Sequence, residues 1–416
     1  MEQKIVRPGK VFGTIVPPAS KSVMQRAIAI SALANGTSVL HGYSSSNDSD
    51  AALKIAENLG ASVSVDGATV TITGGLRPRS LELNCGEAGL GIRMFTPIAS
   101  LWHEPITLHG EGSLKKRPVS ALESPLKQLG VQISTTNGFV PVQVCGPIQG
   151  GYATVDGSLS SQILTGLLIA APYARKDVIL NVKDLKSKPY IDITLDMMKK
   201  FGVAVGRHDY DSFVVPAEQS YQAQSMQIEG DWSGAAFLLV AGALNGNVTV
   251  ENISMESCQA DKAIVDALQK VGAHVEINNN SISVSRNELR AFSFDATECP
   301  DLFPPLVSLA AHCQGNTVIK GMSRLAHKES DRAKVLQIEF GKLGTKIECN
   351  GDEMIVYGGT LQGGSMHANN DHRIAMAGAV AALLAKSPVE IENPECVAKS
   401  YPEFWKDFTA LQVAKI

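Results

Sequence analysis

At 416 residues the chain is too long for one ordinary hydrophobic core, so two or three domains are expected. A composition of 44% hydrophobic, 19% charged and 6% aromatic residues excludes a disordered chain, and a net charge of -4 excludes a general binder of nucleic acid or anionic membranes, which needs a basic face. The longest apolar stretches, AAFLLVAGAL and GAVAALLA, run about ten residues, too few to cross a bilayer. No apolar stretch follows the basic residues of 1–10, so no secretory signal is expected and a cytoplasmic protein is. The seven cysteines (Cys85, Cys145, Cys258, Cys299, Cys313, Cys349, Cys396) have no CxxC spacing, which points to reduced thiols and away from disulfides or zinc.

In chain order, a two-part pattern recurs about every 70 residues, the mark of one supersecondary unit repeated. One part is a helix rich in Ala and Leu that runs into a strand: AISALANGTSVLHG, a weaker IASLWHEPITLHG near Glu104, LIAAPYARKDVILNV, LVAGALNGNVTVENI, SLAAHCQGNTVIKG and AALLAKSPVEIEN. The other is a helix that ends in glycine and is followed by a short hairpin, with marker glycines Gly60, Gly130, Gly202, Gly272 and Gly344. The unit reads as two helices and about four strands, present about six times, in two halves of three.

Polar clusters sit where the helices begin. Before the Ala/Leu-rich helices stand PPASKSVMQR, NCGEAGLGIR, VDGSLSSQ, EGDWSGAA, ECPDLFPP and NNDHRIAM; before the others stand SNDSDAAL, LKKRPVSAL, KSKPYIDIT, ESCQADKAI, HKESDRAKVL and AKSYPEFW. Units related by approximate rotation place equivalent helix starts equivalently, so many helix N-termini face one cleft. Each carries unpaired N–H groups and about half a positive charge. Lys21, Arg26, Arg93, Arg117, Lys188, Lys328, Arg332, Arg373 and Lys399 lie at these starts, which predicts a site for phosphate or carboxylate ligands inside an acidic protein.

Each cluster also has a plainer reading. Ser20 or Ser22 serves as an N-cap, GSLSSQ as a turn and cap, and HKESDR as a solvated helix start. The glycines of GEAGLGIR permit close packing, Asp301 caps a helix, and Asp371 pairs with Arg373. The histidines, His327 and His372 among them, lack metal-ligand spacing, so no metal and no cofactor is expected. The units that begin with Ser46 and Glu256 bring little recognisable chemistry.

In this order and spacing, PPASKSVMQRAI, KKRP, DGSLSSQILTGLLIAAP, SKPYIDIT, KESDR, NDHRIAMA and AKSYPEFW resemble the 5-enolpyruvylshikimate-3-phosphate synthases over essentially the whole chain. The resemblance implies a two-domain inverted α/β barrel of six βαβαββ repeats, three per domain. Its domains would be 1–18 with 229–416, and 19–228, crossing near 17–20 and 228–231 and closing over substrates in the cleft. It further implies a monomeric cytoplasmic transferase of the shikimate pathway that joins phosphoenolpyruvate to shikimate-3-phosphate.

Carried over position by position, Lys21, Ser22, Arg26, Ser160, Ser161, Gln162, Ser187, Tyr190, Asp301 and Lys328 resemble the shikimate-3-phosphate site. Lys21, Gly89, Arg117, Gln162, Lys328, Arg332, Arg373 and Lys399 resemble the phosphoenolpyruvate site, whose two adjacent anionic groups call for several cations. Asp301 and Glu329, with Lys21, resemble the catalytic groups: Asp301 for the 5-hydroxyl proton, Glu329 for the proton at C3. The related UDP-N-acetylglucosamine enolpyruvyl transferases carry a reactive Cys in the region of GSLKKRP, and this chain has none there. A silent anion-binding scaffold would not need both carboxylates and every pocket cation. Two departures stand out: Glu87, Ala88, Gly89 and Leu90 replace the family's frequent N-A-G-T, and Arg324 stands where many relatives have Asn, as a phosphate contact or a surface change.

Overall fold

The computed structural model describes residues 3–158, 160–326 and 328–412; Leu159 of GSLSSQ and His327 of HKESDR lie outside them. The chain divides into a contiguous unit, 19–229, and a discontinuous unit, 1–18 with 230–416.

The contiguous unit holds α1 (Lys21–Leu33), α2 (Asn47–Asn58), α3 (Gly89–Ala99), α4 (Glu123–Gln128), α5 (Gln162–Ala170) and α6 (Lys188–Lys200). α1, α3 and α5 are almost wholly buried; α3 and α5 are apolar on nearly every face, while α1 also buries Gln25, Arg26 and Ser31. α2 and α6 bury one face only, and their polar residues cover the outside. Gly166 in α5 explains how closely two central helices approach. A Cβ there would lie 2.5 Å from the Arg93 carbonyl oxygen and 2.8 Å from the Met94 Cα of α3.

Its three sheets share one strand order. Ser225–Gln227 lies beside Thr37–His41, then Thr69–Thr73, then Ser62–Asp66; Glu82–Asn84, Ile106–His109, Phe139–Cys145 and Gln132–Thr136 repeat it, as do Gly151–Asp156, Val178–Lys183, Ser212–Val215 and Gly206–His208. In each the first pair is parallel and the rest are antiparallel.

The discontinuous unit repeats the plan with α7 (Trp232–Asn245), α8 (Ile264–Val271), α9 (Phe303–Ala310), α10 (Arg332–Lys342), α11 (His372–Ala381) and α12 (Phe404–Leu411). α7, α9 and α11 are its buried helices, and Phe237, Phe303, Phe340, Met376 and Val389 are fully buried in its core. Each such side chain contributes about 1.5–3 kcal/mol by leaving water. Two of its sheets take a strand from the N-terminus: Val11–Ile15 runs parallel to Gly246–Glu251, and Gln3–Val6 runs antiparallel to Val389–Glu392.

The expected four strands per unit hold in five sheets, whereas the sixth has three among the described residues: Gly364–His367, Val389–Glu392 and Gln3–Val6. Among the described residues no strand follows α12, and Gln3–Val6 fills the third place. All five marker glycines adopt positive φ, from +83° at Gly130 to +119° at Gly60, which ends each helix where an L side chain would be strained. Among the described residues no helix is long and apolar enough to cross a membrane.

Candidate active site

In the contiguous unit, side chains from the first two turns of α1, α3, α5 and α6 meet. Arg26 is 1% exposed. Its Nε donates to Thr194 Oγ1 at 2.9 Å, its Nη1 to the Ser22 carbonyl at 2.6 Å, and its Nη2 to Thr165 Oγ1 at 3.3 Å and the Tyr190 carbonyl at 3.2 Å. All four acceptors are neutral, and burial lowers the guanidinium to about 10. Lys21, the first residue of α1, pairs with Asp48 at 2.9 Å, and Gln25 Nε2 donates to the Asp48 carbonyl at 3.0 Å.

Ser20 stands at the N-cap of α1 without a side-chain capping bond, so the plain-cap reading of this cluster does not hold at Ser20. Ser161 occupies the N-cap of α5 without a capping bond, and Ser160 Oγ accepts the Gln162 N–H at 3.2 Å. Ser187 precedes α6 at φ +59°, a left-handed position uncommon for serine, with Lys188 and Pro189 opening the helix.

Beside this group lie Arg93 and Arg117. Arg93 Nη1 donates to Gln162 Oε1 at 3.1 Å and to the Gly89 carbonyl at 3.0 Å, and its Nη2 to the Pro118 carbonyl at 2.8 Å. The first bond fixes the Gln162 amide so that its NH2 faces elsewhere. Burial lowers Arg93 to about 9, and the like charge of Arg117 adds to the fall. Arg117 lies against Gly89: a Cβ at 89 would fall 2.5 Å from its Nη2. Its Nε is buried without a hydrogen-bond partner among the described residues. Of Lys21, Arg26, Arg93 and Arg117, only Lys21 makes an ion pair among the described residues. Buried cations without carboxylates form a site with a strong demand for an anion.

The discontinuous unit gathers Asp301, Lys328, Glu329, Arg332, Asp371 and Arg373. Arg332 is fully buried and reaches three carboxylates: Nη1 to Asp301 at 2.7 Å, Nη2 to Glu329 at 2.5 Å, and Nε to Asp371 at 2.8 Å. Asp301 also accepts from Lys328 Nζ at 3.2 Å and, through Oδ2, from Arg373 Nη2 at 3.2 Å. Burial pushes the Asp301 carboxyl up, but Arg373, Lys328 and Arg332 outweigh it and hold the group well below the usual carboxylate range. Burial lowers Lys328 against the pull of Asp301. Burial also lowers Arg332, and Asp371, Glu329 and Asp301 more than reverse this. Lys399 Nζ donates to the Asn370 carbonyl at 2.8 Å, beside the start of α11.

Three plainer readings give way here. Asp301 is an ion-paired member of the turn Pro300–Leu302, whose N-cap is Cys299. Asp371 caps α11 through the Arg373 N–H, but its ion pair is with Arg332, while the Arg373 side chain turns to Asp301. The KESDR run is no solvated start, because Asp331 caps α10 and Arg332 is wholly buried. Arg324 is half-buried, and its charge helps to lower Lys328, so it belongs to this electrostatic neighbourhood.

Three participants were not singled out for the site from sequence: Asp48, Asp261 and Asp371. Asp48 and Asp261 come from the two units expected to bring little chemistry. Asp261 is 2% exposed; its Oδ2 accepts from the Ser233 hydroxyl, and its Oδ1 is buried without a partner among the described residues. Burial raises its carboxyl to about 7, Asp301 adds to the rise and Arg373 opposes it. Its readable signal was an acid in a cluster that keeps the repeat's period, ESCQADKAI. Among the described residues no group of three His, Cys, Asp or Glu side chains has the arrangement of a metal site.

The sequence model of the EPSP synthase (3-phosphoshikimate 1-carboxyvinyltransferase) family matches residues 5–408. A 3-phosphoshikimate 1-carboxyvinyltransferase of Clostridium kluyveri is 36% identical over 415 residues, covering 99% of this chain and 97% of the relative. One from Clostridium perfringens is 35% identical over 417 residues, covering 99% and 98%. The structure of EPSP synthase from Acinetobacter baumannii matches with a TM-score of 0.85 at 27% identity, covering 100% of this chain and 99% of the other, so the two-domain α/β fold is shared. With its family pattern spanning nearly every residue, the chain belongs to the EPSP synthase (3-phosphoshikimate 1-carboxyvinyltransferase) family.

Proposed function

We propose that this protein transfers the enolpyruvyl group of phosphoenolpyruvate to the 5-hydroxyl of shikimate-3-phosphate and releases phosphate, a step of the shikimate route to aromatic amino acids. The observation that carries the reading is Asp301: a part-buried carboxylate kept ionised by three cations, all of types that bind phosphate and carboxylate. In this reading Lys21, Ser22, Arg26, Ser160, Ser161, Ser187 and Tyr190 hold shikimate-3-phosphate. Gly89, Arg117, Gln162, Arg373 and Lys399 serve phosphoenolpyruvate. Arg332 keeps one Nη1 hydrogen beyond its carboxylate bonds for the same ligand.

The reaction needs two proton movements. Asp301 takes the proton of the 5-hydroxyl as its oxygen bonds to C2 of phosphoenolpyruvate, and Glu329 gives a proton to C3, leaving a tetrahedral ketal phosphate. Glu329 then removes a C3 proton as the C2–O bond to phosphate breaks, which restores the double bond in the product. An Asp301 held by three cations is a weak base. When Arg373 and Lys328 turn to ligand anions its basicity rises, so proton transfer is coupled to substrate binding.

Phosphate release measured with both substrates, and with each alone, tests the function. Release is expected only with both; no release sinks the reading. Asp301→Asn should lower kcat by about 10²–10⁴-fold, the usual share of a general base.

A further inference from the structure

We infer that Glu87 is a positioning residue for the phosphoenolpyruvate pocket: it ties the loop before α3 to the turn Gly112–Lys116 and thereby holds the Arg117 guanidinium against Gly89. The inference rests on the assignment of Arg117 to phosphoenolpyruvate.

A carboxylate at 87, two residues from Gly89, threatens an anion pocket with like charge. The fold turns that carboxylate to another use. Glu87 Oε2 accepts the Ser113 N–H at 2.8 Å, at the open end of the turn Gly112–Lys116. That turn leads directly to Arg117, whose own N–H closes it on the Leu114 carbonyl at 3.1 Å. Gly112 accommodates the contact: a Cβ there would lie 2.4 Å from the Glu87 carboxyl carbon, and the residue has φ +47°.

The same two segments are joined twice more. The Glu111 N–H donates to the Gly86 carbonyl at 2.7 Å, and Asn84 Nδ2 donates to Glu111 Oε1 at 2.6 Å. Asn84 Oδ1 in turn accepts the Gly86 N–H at 2.9 Å. Glu87 is thus the member of this clasp nearest both Gly89 and the root of Arg117. Arg117 has like-charged Arg93 beside it, and its Nε is buried without a partner among the described residues, so its place depends on its backbone being held.

Steady-state kinetics of the full chain, with KM measured separately for each substrate, test this. Glu87→Ala should raise the KM for phosphoenolpyruvate about tenfold, the effect of losing one charge-assisted hydrogen bond, with the KM for shikimate-3-phosphate moved less than about twofold. Glu87→Gln, which still offers a carbonyl oxygen to the Ser113 N–H, should restore most of the loss. Gly112→Ala should reproduce the defect and add little to Glu87→Ala. If Glu87→Ala does not fold, Glu87→Gln against Gly112→Ala decides. An unchanged phosphoenolpyruvate KM, an equal rise for both substrates, or no advantage of Gln over Ala overturns the inference. Arg117→Lys is the control: if it leaves the phosphoenolpyruvate KM unmoved, the pocket assignment itself fails, a result separate from any at Glu87.

Discussion

Taking Asp301 out of water favours its protonated form, yet Arg373, Lys328 and Arg332 keep it ionised; Asp261, nearby in the same electrostatic cluster, has the opposite balance. With burial, Asp301 and Asp231 against its charge, and Arg373 and the Ser233 hydroxyl in favour, Asp261 is raised from 3.8 to about 7. Between those values the folded chain binds more protons at this site than the unfolded chain, so its contribution makes stability fall as pH rises through the window. From about pH 5 upward Asp301 barely blurs the effect, because its carboxyl is ionised in the folded chain and an ordinary carboxyl is largely ionised in the unfolded one. Asp261→Asn removes the penalty. Denaturation midpoints at pH 5 and pH 8 should therefore diverge, with the variant gaining on the parent at the higher pH; parallel midpoints would contradict a raised Asp261. Lys21, Arg117, Asp301 and Arg373 were legible in sequence because their types and spacing match a family pattern. Asp261 was not, because what distinguishes it is an oxygen left without a partner, which only packing reveals.

Helices do the gathering. α3 and α5 meet where Gly166 lets one backbone reach the other, and this contact sets Gln162 within 3.1 Å of Arg93. Gly166→Ala would put a methyl group against rigid backbone and force the two helices apart. The expected cost is about 1–3 kcal/mol, read from unfolding, together with a raised KM for phosphoenolpyruvate as Gln162 loses its support. A fully stable variant with normal KM would show that the two helix starts are not coupled in this way. The alternation of buried helix, strand, glycine-ended helix and hairpin was readable because period and turn chemistry are local properties. The clasp between the two segments around Glu87 and Ser113 was not, since it joins residues 26 apart through a backbone N–H that any sequence would offer.

The two units differ in how they are assembled along the chain. The contiguous unit runs unbroken from 19 to 229, while the discontinuous unit needs 1–18 as well as 230–416. Fragment 230–416 alone would leave Gly246–Glu251 without its parallel neighbour and Val389–Glu392 without its antiparallel one. Fusing 1–18 to its C-terminus through a short flexible linker restores both, and Gln412 already bridges Val11. The fused fragment should unfold cooperatively in calorimetry where 230–416 does not; equal behaviour would mean that the two N-terminal strands are dispensable.

Those strands also place a demand on biosynthesis. At about 5–20 residues per second, Gln3–Val6 leaves the ribosome roughly 20–80 seconds before its partner Val389–Glu392 is made. During that interval Gln3–Val6 waits without its partner, and a nascent chain halted before Val389–Glu392 is made carries an unpaired strand. Any translation pause or premature stop late in the message therefore yields a chain with one unit closed and the other exposed to aggregation.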